Sequence, residues 1–263
     1  MIYIAIISHG HEEMLIESQL CGLAGNASVH IWVKDNLPSV KLEKFCQQHQ
    51  VRYTKEKPGM GFGENNNFLF KKISSEYALS VKDLFVVMNP DIRATAEMLQ
   101  SLDLQMQMDK VSLATVNLYK DQSYQQPDAN IRYFPSLLTP FRVLKIRGLT
   151  EAIQKPLLTR DSDVDWASGA FLAFRPAHFQ ELKGFDTDFF MYFEDVDICY
   201  RSSCITGRKV RYYPGLKAVH QAAHRNRSLL SPHARWFLTS FLRFLWRRSV
   251  IYPFTRGKIR QSL

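Results

Sequence analysis

The chain has 263 residues, 46% of them hydrophobic, with 34 Lys and Arg against 25 Asp and Glu, a formal charge of +9. That length buries a full core without crosslinks, so Cys21, Cys46, Cys199 and Cys204, which form no C-x-x-C pair, read as reduced thiols of a cytosolic protein, not as a disulfide scaffold or zinc site. The apolar N-terminus IYIAII is too short for a signal peptide and lacks a basic leader, and no apolar run reaches the length that spans a bilayer.

In chain order, Tyr3–Ile7 is a buried parallel strand that opens into Ser8-His9-Gly10. A helix over Glu12–Leu23 follows, then a strand over Val29–Val33 ending in Lys34-Asp35-Asn36. A helix over Leu42–Gln50, a strand over Val51–Thr54 and a glycine loop, Gly59 to Gly63, lead to Asn65-Asn66-Asn67 and a helix through Lys72. Asp83–Met88 is a central strand ending in Asn89-Pro90-Asp91. Strands alternating with helices through short loops predict an α/β layered fold with a mostly parallel sheet. Residues 115–160 show no clear period. Beyond them come a strand over Trp166–Phe174, a helix after the Glu194-Asp195-Asp197 cluster with Gly207 as its stop, and a strand over Val210–Tyr213. A polar loop is expected to begin at Val219-His220. A final helix over His233–Arg248 places Phe237, Leu238, Phe241, Leu242 and Leu245 on one face, with Thr239, Arg243 and Arg247 on the other.

Charge is unevenly distributed. Asp197 is the last acid; the 66 residues after it hold 14 Lys or Arg, whereas the first 197 hold 20 basic and 25 acidic residues, a net of −5. A one-sided basic segment implies an anionic partner: membrane phospholipid, nucleic acid or a phosphorylated substrate. No groove-reading or base-stacking motif accompanies the charge, which disfavours nucleic acid. The final helix is either a core helix with a basic outer face or an interfacial helix with Trp236 and Trp246 at headgroup depth.

Polar residues recur just after three strands: Ser8-His9, Asp35-Asn36 and Asn89-Pro90-Asp91. Ligands of open α/β sheets bind beyond the carboxyl ends of strands, so the three ends point to one crevice. Gly61 and Gly63 lack Rossmann or P-loop spacing, but with the asparagines they allow close approach to a nucleotide or sugar. Asp91 could hold Mg²⁺ or Mn²⁺ against a diphosphate, or simply cap a helix. His220, His224, Arg225 and Arg227 form either a diphosphate clamp, with one histidine as metal ligand, or a solvated basic loop. In FFMYFEDVDICYR (189–201), Glu194 and Asp195 sit at a helix start beside aromatic rings. There the helix dipole favours an ionised carboxylate, as a general base requires, and Asp197 pairs with Arg201 at i,i+4.

Seven segments in order, ISHG (7–10), VKDN (33–36), GFGENNN (61–67), NPDI (89–92), VDWASGAFLAF (164–174), GFDTDFFMYFEDVDICYR (184–201) and HQAAHRNRS (220–228), resemble the family 2 glycosyltransferases of GT-A fold, above all bacterial O-antigen rhamnosyltransferases. The resemblance covers roughly 1–230. It implies a Rossmann-like mixed sheet as GT-A domain, with 231–263 as a basic amphipathic helical extension for membrane association. It implies a site for nucleotide sugar from Ser8, His9, Asp35, Asn36, Gly61, Asn65, Asn66, Asn89, Asp91, Arg225 and Arg227, with Trp166 and Gly169 bordering the acceptor. Asp195 would be the catalytic base with Glu194 in support. Asp91 and His220 would hold a divalent metal, Mg²⁺ or Mn²⁺, although Asn89 stands where the family's D-x-D motif has its first acid.

The activity so implied is inverting transfer of a sugar, L-rhamnose from dTDP-rhamnose, to a polyprenyl-diphosphate-linked saccharide at the inner face of the bacterial inner membrane. The alternatives are another donor, such as a galactofuranose or hexose nucleotide, and a non-catalytic anion- or nucleic-acid-binding module on the same scaffold.

Overall fold

A computed structural model describes residues 1–18, 20–135, 151–221 and 232–253. In chain order the elements are β1 (Ile2–Ser8), α1 (Glu12–Ile16), α2 (Leu20–Ala24), β2 (Val29–Asp35), α3 (Val40–Gln48), β3 (Arg52–Thr54), α4 (Phe62–Glu76), β4 (Leu84–Met88), β5 (Ile92–Arg93), α5 (Ala96–Met108), β6 (Leu113–Tyr119) and β7 (Ile131–Arg132). A 3₁₀ turn (Lys155–Leu157) precedes β8 (Ser162–Val164), β9 (Trp166–Ala167), β10 (Phe171–Phe174), α6 (Pro176–Glu181), α7 (Glu194–Ile205), β11 (Val210–His220) and α8 (Pro232–Trp246), which runs on as a π turn over Arg247–Ile251.

The main sheet runs β3-β2-β1-β4-β10-β6-β11-β5, with β8 also paired to β11. The β3-β2-β1-β4 part is parallel and β10 is antiparallel to both neighbours. The sheet is therefore mixed. Alternation along β1 divides the core: Ile2, Ile4 and Ile6 pack with Leu15, Leu42 and Leu99 on one face, and Tyr3 and Ala5 with Leu69, Ile73 and Phe85 on the other. The second layer also takes in Phe193, Val196 and Cys199 around α7 and Phe241, Phe244 and Leu245 of α8.

Four sequence expectations change. The helix over Glu12–Leu23 is two short helices, because Ser18 donates its hydroxyl to Leu15 O at 2.6 Å and accepts from Leu20 N at 3.2 Å, replacing ladder bonds. The strand over Trp166–Phe174 is two strands, β9 pairing with β7 and β10 with β4 and β6, parted at Ser168-Gly169-Ala170. Val219 and His220 do not begin a loop; β11 continues through a register shift between Tyr213 and Lys217 and pairs them with Arg93 and Ile92. On α8, Leu238 and Leu242 are 55% and 57% exposed, and Phe244 joins Phe241 and Leu245 on the buried face.

Candidate active site

The three polar strand ends are neighbours. Strands β2, β1 and β4 lie side by side and parallel, so Ser8, Asp35-Asn36 and Asn89-Pro90-Asp91 emerge at one edge of the sheet. Asn36 N–H donates to Ser8 O at 2.9 Å. The Asp35 carboxylate is buried and fixed by Leu37 N–H at 3.3 Å, Ser39 N–H at 3.1 Å and Tyr53 OH at 3.0 Å. The adjacent Lys34 ammonium, fully buried, donates to Asn36 Oδ1 at 3.0 Å. His9 is exposed at the start of the β1 loop, where its N–H donates to His11 Nδ1 at 2.9 Å.

Gly61 caps α4 in a space only glycine fits, since a Cβ there would stand 2.2 Å from Phe190 O. On the first turns of α4, Asn65 donates to Met60 O (2.8 Å) and Gly61 O (2.9 Å), and Asn66 donates to Phe62 O (2.9 Å). Both side-chain oxygens, Asn65 Oδ1 and Asn66 Oδ1, are buried without a hydrogen-bond partner, as is Ser8 Oγ. Buried polar atoms left unsatisfied are costly, and a ligand is one way to satisfy them. Asn67 does something else: it bridges to Phe185, donating to its carbonyl at 2.7 Å and accepting its N–H at 2.8 Å.

Tyr192 and Phe193 both adopt left-handed backbone, each at φ +68°, and Phe193 is the N-cap of α7. Two such aromatic residues in succession store strain of roughly 1–3 kcal/mol each. The turn is held from behind by α8: Phe193 packs on Phe237, Phe241 and Phe244, and Ser240 donates to Met191 O at 3.1 Å. The outcome is to set Glu194 and Asp195 on the first turn of α7. Asp195 accepts the Gly169 N–H at 2.9 Å and the Val196 N–H at 2.8 Å.

Burial pushes the Asp195 carboxyl above its usual range, although those N–H groups and the Arg132 charge pull the other way. Burial, then the Asp195 charge, pushes the Glu194 carboxyl well above its usual range. Burial therefore outweighs the helix terminus that the sequence suggests as the controlling influence. The arrangement separates the two acids: burial raises both, but two N–H donors favour the ionised form of Asp195, whereas Glu194 Oε2 has no partner. Asp197 is fully buried, ion-paired with Arg201 at 2.7 Å and bonded by Tyr252 OH.

Trp166 is buried, its indole N–H donating to Tyr133 O at 2.9 Å, and it faces Arg132 across the β7–β9 pair. Gly169 packs between Phe62 and Asp195. Asn89 N–H donates to Ala170 O at 2.9 Å, which brings the β4 end beside this turn. Asp91 does not cap a helix. Thr95 does, its hydroxyl accepting Met98 N–H at 3.2 Å at the start of α5.

The β5–β11 pairing brings His220 to Asp91, with Nε2 3.4 Å from Asp91 Oδ2 and Nδ1 2.7 Å from Asp128 Oδ2. Burial would lower the His220 pKa, but the two carboxylates outweigh it and push it up to about 9. Asp91 Oδ1 is buried without a partner. Among the described residues no three His, Cys, Asp or Glu converge to hold a metal by themselves. The unpartnered Asp91 oxygen fits a hard cation that completes its shell with phosphate oxygens and water, and the imidazole of His220 beside it would add a nitrogen ligand. Arg225 and Arg227, with His224, lie outside the described residues. Sequence reasoning missed Asp128, Arg132 and Lys155, all in the stretch without periodicity. Lys155 donates to Leu118 O at 2.7 Å and Asn117 Oδ1 at 3.0 Å, and burial lowers its pKa to about 8.

No family model matches the chain. It is 34% identical over 253 residues to the rhamnosyltransferase WbbL of Escherichia coli K12, spanning 95% of each chain. It is 23% identical to the low-salt glycan biosynthesis hexosyltransferase Agl10 of Haloferax volcanii, over 76% of this chain and 60% of that one. Among solved structures it resembles GalNAc-T7 with UDP, GalNAc and Mn²⁺ (TM-score 0.63, 12% identity, 92% of this chain and 47% of that one). It also resembles the mannosyltransferase PcManGT of Pyrobaculum calidifontis with GDP-Man and Mn²⁺ (TM-score 0.56, 13% identity, 97% and 72%). With this sheet, this acidic turn and a relative matched end to end, the chain belongs to the family 2 glycosyltransferases of GT-A fold, together with the rhamnosyltransferase WbbL.

Proposed function

We propose that the protein transfers L-rhamnose from dTDP-rhamnose, with inversion, to a lipid-linked saccharide in the synthesis of a cell-surface polysaccharide. The observation that carries the chemistry is the carboxylate of Asp195, held by two backbone N–H groups beside Glu194, whose carboxyl burial pushes well above its usual range. One carboxylate whose ionised form is favoured by two N–H donors suits a single displacement. Asp195 takes the proton of the acceptor hydroxyl as its oxygen attacks the anomeric carbon, and the nucleoside diphosphate leaves from the opposite face. The transition state is oxocarbenium-like, and the developing charge on the attacking oxygen passes to a positioned base. Ser8, Asp35 and the amide oxygens of Asn65 and Asn66 bind the nucleotide side, with Gly61 letting the backbone approach closely. His9, Asn36 and Asn89 sit along the same edge, and Arg225 and Arg227 supply charge to the diphosphate. Trp166 and Gly169 border the acceptor. A divalent cation at Asp91 and His220 would supply positive charge to offset that on the leaving diphosphate.

The rhamnose assignment rests on the end-to-end similarity to WbbL. Membrane delivery of the acceptor rests on α8. Leu238, Leu242, Trp246 and Val250, four residues apart, are 55%, 57%, 56% and 44% exposed in one stripe. The stripe runs into a C-terminal sequence with Arg256, Lys258 and Arg260 and no acid, which complements anionic lipid. No described helix is long and apolar enough to cross a membrane. Arg243 and Arg247 are not available for lipid, because they pair with Asp188 O and with Asp186 and Asp188. The protein thus works at the inner face of the bacterial inner membrane, lying on the bilayer.

The test is a donor panel with a polyprenyl-diphosphate-linked acceptor: dTDP-rhamnose, a galactofuranose nucleotide and hexose nucleotides. Transfer from dTDP-rhamnose with an inverted anomeric centre, read by NMR of the product, is the expected result. A retained configuration, or preference for another donor, overturns the corresponding part of the proposal.

A further inference from the structure

Asp128 lies in the loop between β6 and β7, anchored by its own N–H to Leu118 O at 2.9 Å. Both carboxylate oxygens are committed: Oδ1 accepts Ala129 N–H at 2.8 Å and Oδ2 meets His220 Nδ1 at 2.7 Å. The buried ammonium of Lys155, tied to Asn117 and Leu118 on the adjoining end of β6, lies close enough for its charge to act on Asp128. An ionised carboxylate can only accept, so it fixes a proton on Nδ1. The opposite ring nitrogen then faces Asp91, 3.4 Å away, where one carboxylate oxygen is buried without a partner.

We infer that Asp128 is a positioning residue for His220. Its carboxylate holds the Nδ1–H, so the proton that a divalent cation displaces is the one on Nε2, and the lone pair so freed lies beside Asp91. The inference rests on the proposed cation site at Asp91 and His220 and adds what that site needs behind it. Metal-bound histidines take their orientation and tautomer from a group that accepts their second N–H, and loss of that group costs about 10–100-fold in metal affinity. Asparagine keeps the size of Asp128 but offers the ring an N–H donor as well as an acceptor, so the tautomer is no longer fixed.

The experiment measures Mn²⁺ affinity of the full chain in the presence of thymidine diphosphate, from the free-Mn²⁺ signal in electron paramagnetic resonance, for wild type, Asp128→Asn and His220→Ala. Both variants are expected to bind Mn²⁺ more weakly, Asp128→Asn by about 10–100-fold. If His220→Ala weakens binding and a folded Asp128→Asn does not, the cation site stands and the role of Asp128 falls. If His220→Ala binds as wild type, the cation reading itself fails, and this inference with it. A second measurement needs no variant: ¹⁵N spectra of the metal-free wild type at alkaline pH, with the imidazole neutral, should place the remaining proton of His220 on Nδ1. A proton on Nε2 overturns the inference.

Discussion

The backbone N–H of Gly169 donates to the carboxylate of Asp195 at 2.9 Å, joining a turn between two strands to the first turn of α7. The same glycine lies against the Phe62 ring on α4, so three elements meet around one acid. The relationship distinguishes Asp195 from its neighbour, because Glu194 Oε2 is buried with no hydrogen-bond partner.

Substitution should separate the two acids. Asp195→Asn keeps the shape and removes the base, so kcat should fall roughly 10²–10⁴-fold. Glu194→Gln replaces a carboxyl whose neutral form burial favours and should stay within several-fold of wild type. Steady-state transfer rates from the preferred donor decide this, and near-full activity in Asp195→Asn would rule out the assigned base.

The pH profile carries a sign. The proposed base, Asp195, would act only when ionised, and burial raises its pKa above the ordinary 3.8, so kcat/KM should climb with pH through a limb displaced upward from that value. Glu194 contributes to stability in the matching sense. The folded state holds its proton more tightly than the unfolded chain, so the contribution is present below the ordinary 4.5 and lost as pH rises toward the raised value. Denaturant titrations across that range should show a stability slope that Glu194→Gln flattens.

Gly169→Ala places a Cβ 2.9 Å from Phe62 Cε1 and 3.6 Å from Asp195 Cβ. Over-packing of this kind costs about 1–3 kcal/mol. A lowered melting temperature together with a drop in kcat is expected; unchanged activity would mean that the turn does not position Asp195.

The two faces of α8 should respond differently. Phe244 is fully buried against Phe193 and Tyr200, and Phe244→Ala should cost roughly 3–5 kcal/mol and disturb the acidic turn. Leu238→Ser with Trp246→Ser alters the exposed stripe and should leave stability within about 0.5 kcal/mol per site while reducing binding to anionic vesicles. Sedimentation with vesicles and thermal melts read the two effects separately. Deleting the whole helix would remove core side chains and confuse them.

Much of the fold is legible in the chain. The strand at Tyr3–Ile7 and the existence of a helix through Asn65–Lys72 follow from period and punctuation, which are local properties, although that helix starts at Phe62, inside the expected glycine loop, and runs on to Glu76. Polar residues after β1, β2 and β4 can be placed at one sheet edge because parallel strands end on the same side. The break of Glu12–Leu23 was not legible, since it depends on which backbone groups the Ser18 hydroxyl meets. Nor was the face of α8: Leu238 and Phe244 have similar apolarity, and the placement of Phe193 and Tyr200 decides which is covered.

By itself the sequence determined the alternating α/β order, the set of polar strand ends and the acidic turn, because each is written in neighbouring residues. Only the tertiary structure decided what those groups face. It brought Gly169 to Asp195 across 26 positions and Asp128 to His220 across 92. It also turned Arg247 of the basic segment inward, onto Asp186 and Asp188. The physical reason is that ionisation and hydrogen bonding depend on burial and on partners distant in sequence, and those exist only once the sheet is assembled.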